Sequence, residues 1–172
     1  MHVLIVGQST SGKSNLCKAW ANDQDSVIVY DPLKSTGWPI HALKFSDPEK
    51  FLRHMVTAQS AHVYIDEAMT LWEYDYKRAN KILYNRRHQG LLVYVIGQRA
   101  TMILPHARNQ CSKVFAFKQN LADAQSLAGD YNPEVIECNR LAKGEFIAAD
   151  TFSAERYRLD YTNFPPSPIL QE

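Results

Sequence analysis

The sequence is short of the features that hold many small domains together. Its 172 residues include three cysteines, Cys17, Cys111 and Cys138, with no Cys-x-x-Cys pair among them. A disulfide framework or thiolate zinc site is therefore not expected, and reduced thiols in a cytosolic compartment are. The six histidines show no His-x-x-x-His or mixed Cys/His ligand spacing, so no structural metal is assigned. No apolar run approaches the ~18–20 residues of a membrane span. The N-terminus carries neither a basic region nor a cleavage site, because an apolar strand begins at once. Nor is there an excess of either charge. Nineteen basic against eighteen acidic residues give a net +1, which provides no global sign of nucleic-acid binding but leaves room for a locally basic surface.

What is present is one domain's worth of globular sequence, 45% hydrophobic and 22% charged, with no internal repeat and no sign of a second domain. The stretch Gly7-Gln8-Ser9-Thr10-Ser11-Gly12-Lys13-Ser14 is the most informative. It follows the apolar run His2-Val3-Leu4-Ile5-Val6 and opens into Asn15-Leu16-Cys17-Lys18-Ala19-Trp20. Strand, glycine-bounded loop with Gly-Lys-Ser, then helix is the context that a phosphate-binding P-loop (Walker A) requires. Gly7 and Gly12 let successive N–H groups turn inward towards a polyphosphate. The following helix adds its own unpaired N–H groups and positive dipole end. Lys13 is expected at the β- and γ-phosphates of ATP, and the Ser14 hydroxyl on a Mg²⁺ ion. Residues 7–15 together are the expected nucleotide cradle.

Strands and helices then alternate. Ser26-Val27-Ile28-Val29-Tyr30 reads as a second buried strand ending at Asp31-Pro32, and His41-Ala42-Leu43-Lys44-Phe45 as a short third. Ser46, Pro48 and Glu49 carry helix-start signals, with Ser46 as the capping residue. Phe51, Leu52, Met55 and Val56 continue at helical spacing, so a helix is expected over residues 47–59. Ala61-His62-Val63-Tyr64-Ile65 is a strand that ends in Asp66-Glu67, a Walker B pattern. Asp66 is placed to hold the Mg²⁺ through its water shell, and Glu67 to orient or deprotonate the attacking water. Across residues 68–88, Trp72, Tyr76, Ala79 and Leu83 form one helical stripe. Lys77, Arg78, Lys81 and Arg86 form a basic face, open to water or to a subunit or DNA contact. Leu91-Leu92-Val93-Tyr94-Val95-Ile96 suits a central parallel strand, and Gly97-Gln98-Arg99 follows it. A short helix near residues 104–109, a strand over 113–117 and helices over 121–128 and from Pro133 come next. Residues 145–148 and 156–159 read as a hairpin. The segment 162–172, with three prolines, reads as a tail beyond a motor domain of residues 1–161.

This alternation is that of an α/β P-loop NTPase. The stretch Arg87-His88-Gln89-Gly90, then the apolar strand, then Gln98-Arg99 resembles the FtsK–HerA superfamily of DNA-pumping ATPases, whose pattern is Arg-x-x-Gly, a strand and a terminal Gln-Arg. Tyr30-Asp31-Pro32, Arg108-Asn109 with the strand after it, and Ala142-Lys143-Gly144-Glu145-Phe146 are similar to further family stretches, so the resemblance runs from residue 2 to about residue 150. One departure is Gly97-Gln98-Arg99-Ala100, where the family often has Thr-Gln-Arg-Pro.

The resemblance implies a RecA-like, three-layer fold with a central, mostly parallel sheet and a C-terminal hairpin. It implies ATP hydrolysis with Mg²⁺, coupled to translocation of DNA, double-stranded by expectation, by a homo-oligomeric ring, a hexamer. Gln98 would sense the γ-phosphate. Arg87 would act on the neighbouring subunit's nucleotide as an arginine finger, with Arg86 and Arg99 in reserve. Within the superfamily a bare motor domain is most like the genome-packaging ATPases of tailless, internal-membrane icosahedral viruses. That implies capsid-vertex or virion-membrane partners, and a host-cytoplasmic location with virion association at the packaging vertex. A cellular or plasmid-borne translocase is the alternative within the superfamily. A small nucleoside or nucleotide kinase is the alternative from another class, although no arginine-rich lid is evident. A non-enzymatic, nucleotide-gated scaffold is a third, and Glu67 argues against it.

Overall fold

The computed structural model describes residues 2–85, 89–162 and 167–171. One nine-stranded sheet organises them, in the order β3-β2-β4-β5-β1-β6-β7-β8-β9. Six of its strands are parallel: β1 (Val3–Val6), β2 (Val27–Tyr30), β3 (Leu43–Phe45), β4 (His62–Ile65), β5 (Leu92–Gly97) and β6 (Lys113–Phe117). Antiparallel β7 (Glu145–Ala149), β8 (Ala154–Asp160) and β9 (Ser167–Leu170) extend it beyond β6. The expected hairpin is thus present as β7–β8. The segment expected as a tail supplies a third strand, because the backbone of residues 167–170 pairs along the open edge of β8. Such pairing needs only N–H and C=O groups, which apolar patterning does not report.

The strands explain the layering. Successive side chains point to opposite faces. Leu4 and Val6 enter one core with Val63, Ile65, Val93 and Val95, whereas Val3 and Ile5 enter the other with Val27, Val29 and Tyr64. The second core is closed by α1 (Lys13–Asn22) through Leu16, Cys17 and Ala21. The first is closed by α2 (Pro48–His54), α3 (Ala68–Tyr74), α4 (Tyr76–Asn85), α5 (Pro105–Asn109) and α6 (Leu121–Asp130). Among the described residues the arrangement is three-layered, with one α-helix on one face and five on the other. No helix among the described residues is long and apolar enough to cross a membrane.

Four local expectations need correction. Asp47, not Ser46, caps α2: its carboxylate accepts the Lys50 N–H at 2.8 Å, with Pro48 in the first turn. The α2 helix also stops at His54. Val56 and Thr57 donate three residues back, to Arg53 and His54, and this tightening turns Val56 outward to 58% exposure while Phe51, Leu52 and Met55 stay buried. The helical stripe over 68–88 is broken at Asp75. Its carboxylate accepts the Arg78 N–H at 2.9 Å and caps α4 as a new helix. Trp72, Ala79 and Leu83 are buried as the stripe requires, but Tyr76 is half exposed. The segment from Pro133 is a 3₁₀ helix to Arg140 rather than an α-helix.

Candidate active site

All six parallel strands end at the same edge of the sheet, and the loops at that edge hold the candidate residues. β1 delivers residues 7–12 as a loop that reverses sharply before α1. Gly12 has φ 118°, and Thr10 takes a left-handed φ of 64°. Gly7 is required by packing as well: a methyl group built there would stand 2.5 Å from Cβ of Phe117. The loop is tied on both sides, Gly7 N donating to Gly97 O (3.3 Å) and Gln8 N to Lys118 O (2.9 Å). Lys13 is buried and its Nζ donates to the loop carbonyls of Gly7 (2.5 Å) and Gln8 (3.0 Å). Burial lowers its pKa, against the opposing fields of Asp66 and Glu67. The ammonium group is therefore held inside the curl of the loop, with two carboxylates facing it.

Asp66 and Glu67 follow β4. The Asp66 carboxyl is pushed up to about 6, by burial first and then by the charge of Asp31. Its Oδ1 accepts the Glu67 N–H at 3.0 Å. A carboxylate desolvated beside another acid is suited to a hard divalent cation, which reverses both penalties. Ser14, at the start of α1, offers the hydroxyl that P-loop sites add to that cation. The donor set therefore fits Mg²⁺. Glu67 stands at φ 50°, left-handed for a non-glycine residue, a conformation that costs on the order of 1–3 kcal/mol and clusters at functional sites. Its Oε1 accepts from Nε2 of Gln98 at 3.1 Å, and Oε1 of Gln98 accepts from the Ser9 hydroxyl at 3.4 Å. A polar chain thus runs from the Walker B glutamate, through the tip of β5, to the P-loop.

The other expected residues fall differently. Asp31 is buried and fully engaged: its two oxygens accept from Leu33 N, Ser35 N, Ser35 Oγ and Trp38 Nε1. It organises the loop after β2, while its charge reaches Asp66. Arg99 donates to Oδ2 of the fully buried Asp123 at 2.9 Å. Burial alone would raise that carboxyl, but bonds from Thr101 and Arg99 outweigh it and hold the carboxyl down. Arg99 is thus committed to α6, which disfavours it as a mobile finger. Arg108 is buried and bonded to Asp130, Ala100 O, Ile103 O and Ser126, a structural clamp. Arg87 and Arg86 lie outside the described residues. Two groups given no site role from the sequence also reach the site, Lys143 and Tyr161, which line a cavity with residues 10–15. Only the pairing of β7 and β8 with the rest of the sheet brings them there, and no local pattern reports that.

The arrangement of strands and loops matches solved structures. B204, the DNA-packaging ATPase from Sulfolobus Turreted Icosahedral Virus, superposes with a TM-score of 0.72 at 18% identity, over 90% of this chain and 95% of that one. B204 from Sulfolobus turreted icosahedral virus 2 in complex with AMPPCP gives 0.70 at 19% identity, over 90% and 95%. The pCW3 conjugation coupling protein TcpA, in monomer form with ATPgS, gives 0.67 at 15%, over 94% of this chain and 60% of that one. The chain has the fold of these P-loop proteins. No protein-family model and no curated sequence matches it.

Proposed function

We propose that this P-loop protein is an Mg²⁺-dependent ATPase of the FtsK–HerA type that translocates DNA, and that it serves as a viral genome-packaging motor. The observation that carries the reading is the Ser9–Gln98–Glu67 chain. It joins a candidate general base to a side-chain amide at the tip of β5, between the P-loop strand and the Walker B strand. A glutamine there is suited to register the γ-phosphate and the attacking water together. Lys13 and the loop N–H groups are suited to phosphate binding, and Ser14 and Asp66 would hold an Mg²⁺ ion, which would supply neutralisation of the phosphate charge.

The polymer-pumping role draws on the Arg87–Gln98 resemblance and on fold neighbours that are a DNA-packaging ATPase and a conjugation coupling protein. The packaging branch is favoured by a likeness that extends over 95% of B204. The reading includes a hexameric ring, docking to a capsid vertex or virion-membrane proteins, and residence in the host cytoplasm and at the packaging vertex.

The test is ATP turnover measured with and without double-stranded DNA. Turnover should rise several-fold with DNA and be indifferent to nucleosides or nucleotides offered as phosphate acceptors. Phosphorylation of such an acceptor, with no response to DNA, would replace the motor by a kinase.

A further inference from the structure

The candidate catalytic groups occupy one side of the P-loop. In the sheet order, β4 and β5, which end in Glu67 and Gln98, flank β1 on one side, and β6, β7 and β8 lie on the other. A nucleotide whose γ-phosphate faces Glu67 and Gln98 must therefore extend its nucleoside towards the β7–β8 side. On that side there is a cavity of about 280 Å³, with residues 10–15 as one wall and Lys143 and Tyr161 as the other.

The second wall is built onto the first. Gly144 N donates to Ser11 O at 3.0 Å, and Leu159 N donates to Gly144 O at 2.8 Å, so the open end of the hairpin is hydrogen-bonded to the P-loop. Tyr161 follows β8 and lies against two glycines. A methyl group on Gly12 would stand 3.1 Å from its Oη, and one on Gly144 would stand 3.1 Å from its Cε2. Both glycines have positive φ, 118° and 84°. Half of Tyr161 remains exposed. Lys143 is exposed and makes no ion pair among the described residues. The nearest acid in sequence, Glu145, is taken by Arg156 (2.8 Å) and by the Ala142 N–H (2.8 Å). An unpaired ammonium and an aromatic face thus meet the anion-binding loop at one cavity.

We propose that this wall is the nucleoside half of the nucleotide site. The purine base stacks on the ring of Tyr161, and the Lys143 ammonium neutralises the α-phosphate next to it. The proposal rests on the ATP-binding reading and adds to it the part of the chain that tells a nucleotide from bare polyphosphate. Stacking supplies sequence-tolerant base affinity, and the lysine acts as a point charge on either ligand.

Calorimetric titration of the full chain with a non-hydrolysable ATP analogue and, separately, with tripolyphosphate, both with Mg²⁺, tests it. Tyr161→Leu keeps bulk against Gly12 and Gly144 but removes the π face. It should weaken the analogue by about fivefold or more, the low end of a base–aromatic stack, and leave tripolyphosphate unchanged, while Tyr161→Phe keeps both affinities. Lys143→Ala should weaken both ligands. Unchanged analogue affinity in Tyr161→Leu, or an equal loss for both ligands, overturns the stacking role. Unchanged tripolyphosphate affinity in Lys143→Ala overturns the phosphate role. A wild-type chain that binds neither ligand removes the ATP site itself, a result distinct from a wild type that binds both while the variants do not differ from it.

Discussion

At the scale of single residues, Lys13 and Glu67 should fail in different ways. In Glu67→Gln the carboxamide oxygen can still accept from Gln98 Nε2, so the chain from Ser9 to residue 67 keeps its shape. What is lost is the capacity to take a proton from water. Nucleotide affinity should hold while turnover falls by about 10²–10⁴-fold, the range of general-base catalysis. Lys13→Ala removes the buried ammonium that Gly7 and Gln8 hold within the loop, and the deficit should appear in affinity itself. Titration with a non-hydrolysable analogue, beside steady-state turnover, separates the two. Normal turnover in both variants would remove the assignment. The Walker A and Walker B groups were legible in the sequence because each is contiguous and sits at a strand end, where the fold class dictates the edge. Arg99 shows the limit: its chemistry in sequence is that of any exposed base, and only the position of Asp123 on α6 reveals its commitment.

At the scale of elements, the break between α3 and α4 is secured by charge. Glu49 on α2 accepts from Arg53 and from both terminal nitrogens of Arg78, and Tyr74 Oη donates to it. Arg78 also donates to Asp75 at the break itself. The Arg78 bonds, then those of Arg53, hold the Glu49 carboxyl down to about 2 from an ordinary 4.5. A carboxyl whose folded-state pKa is depressed contributes stability that is fully present above its unfolded value and lost as pH falls through the folded one. The wild type should therefore lose stability between pH 4.5 and about 2. Arg78→Ala should be less stable at neutral pH and should converge on the wild type near the bottom of that window, as thermal melts across the range would show. Parallel curves would mean the network is too solvated to matter. This element boundary was hidden because the apolar stripe continues in phase through Asp75. A capping aspartate inside an uninterrupted period marks a restart only when its carboxylate turns back onto the backbone. β9 was hidden for the complementary reason, since strand addition at an edge is a backbone event.

At the scale of the whole molecule, the proposed ring places a demand on Arg87. A finger acts on the nucleotide of the neighbouring subunit, so its removal should spare binding and slow hydrolysis. Arg87→Ala should bind ATP normally and hydrolyse it more slowly by about 10³-fold or more, the worth of an arginine finger. Mixing that variant with Glu67→Gln decides between cis and trans. Each is inactive alone, but a mixed assembly contains interfaces at which an intact Glu67 meets an intact Arg87 from the next subunit. Partial recovery of turnover on mixing places the two groups on different chains. No recovery, in mixtures that light scattering shows to have co-assembled, assigns Arg87 to its own subunit's structure. The search for the finger would then pass to Arg86, because Arg99 is already bound to Asp123.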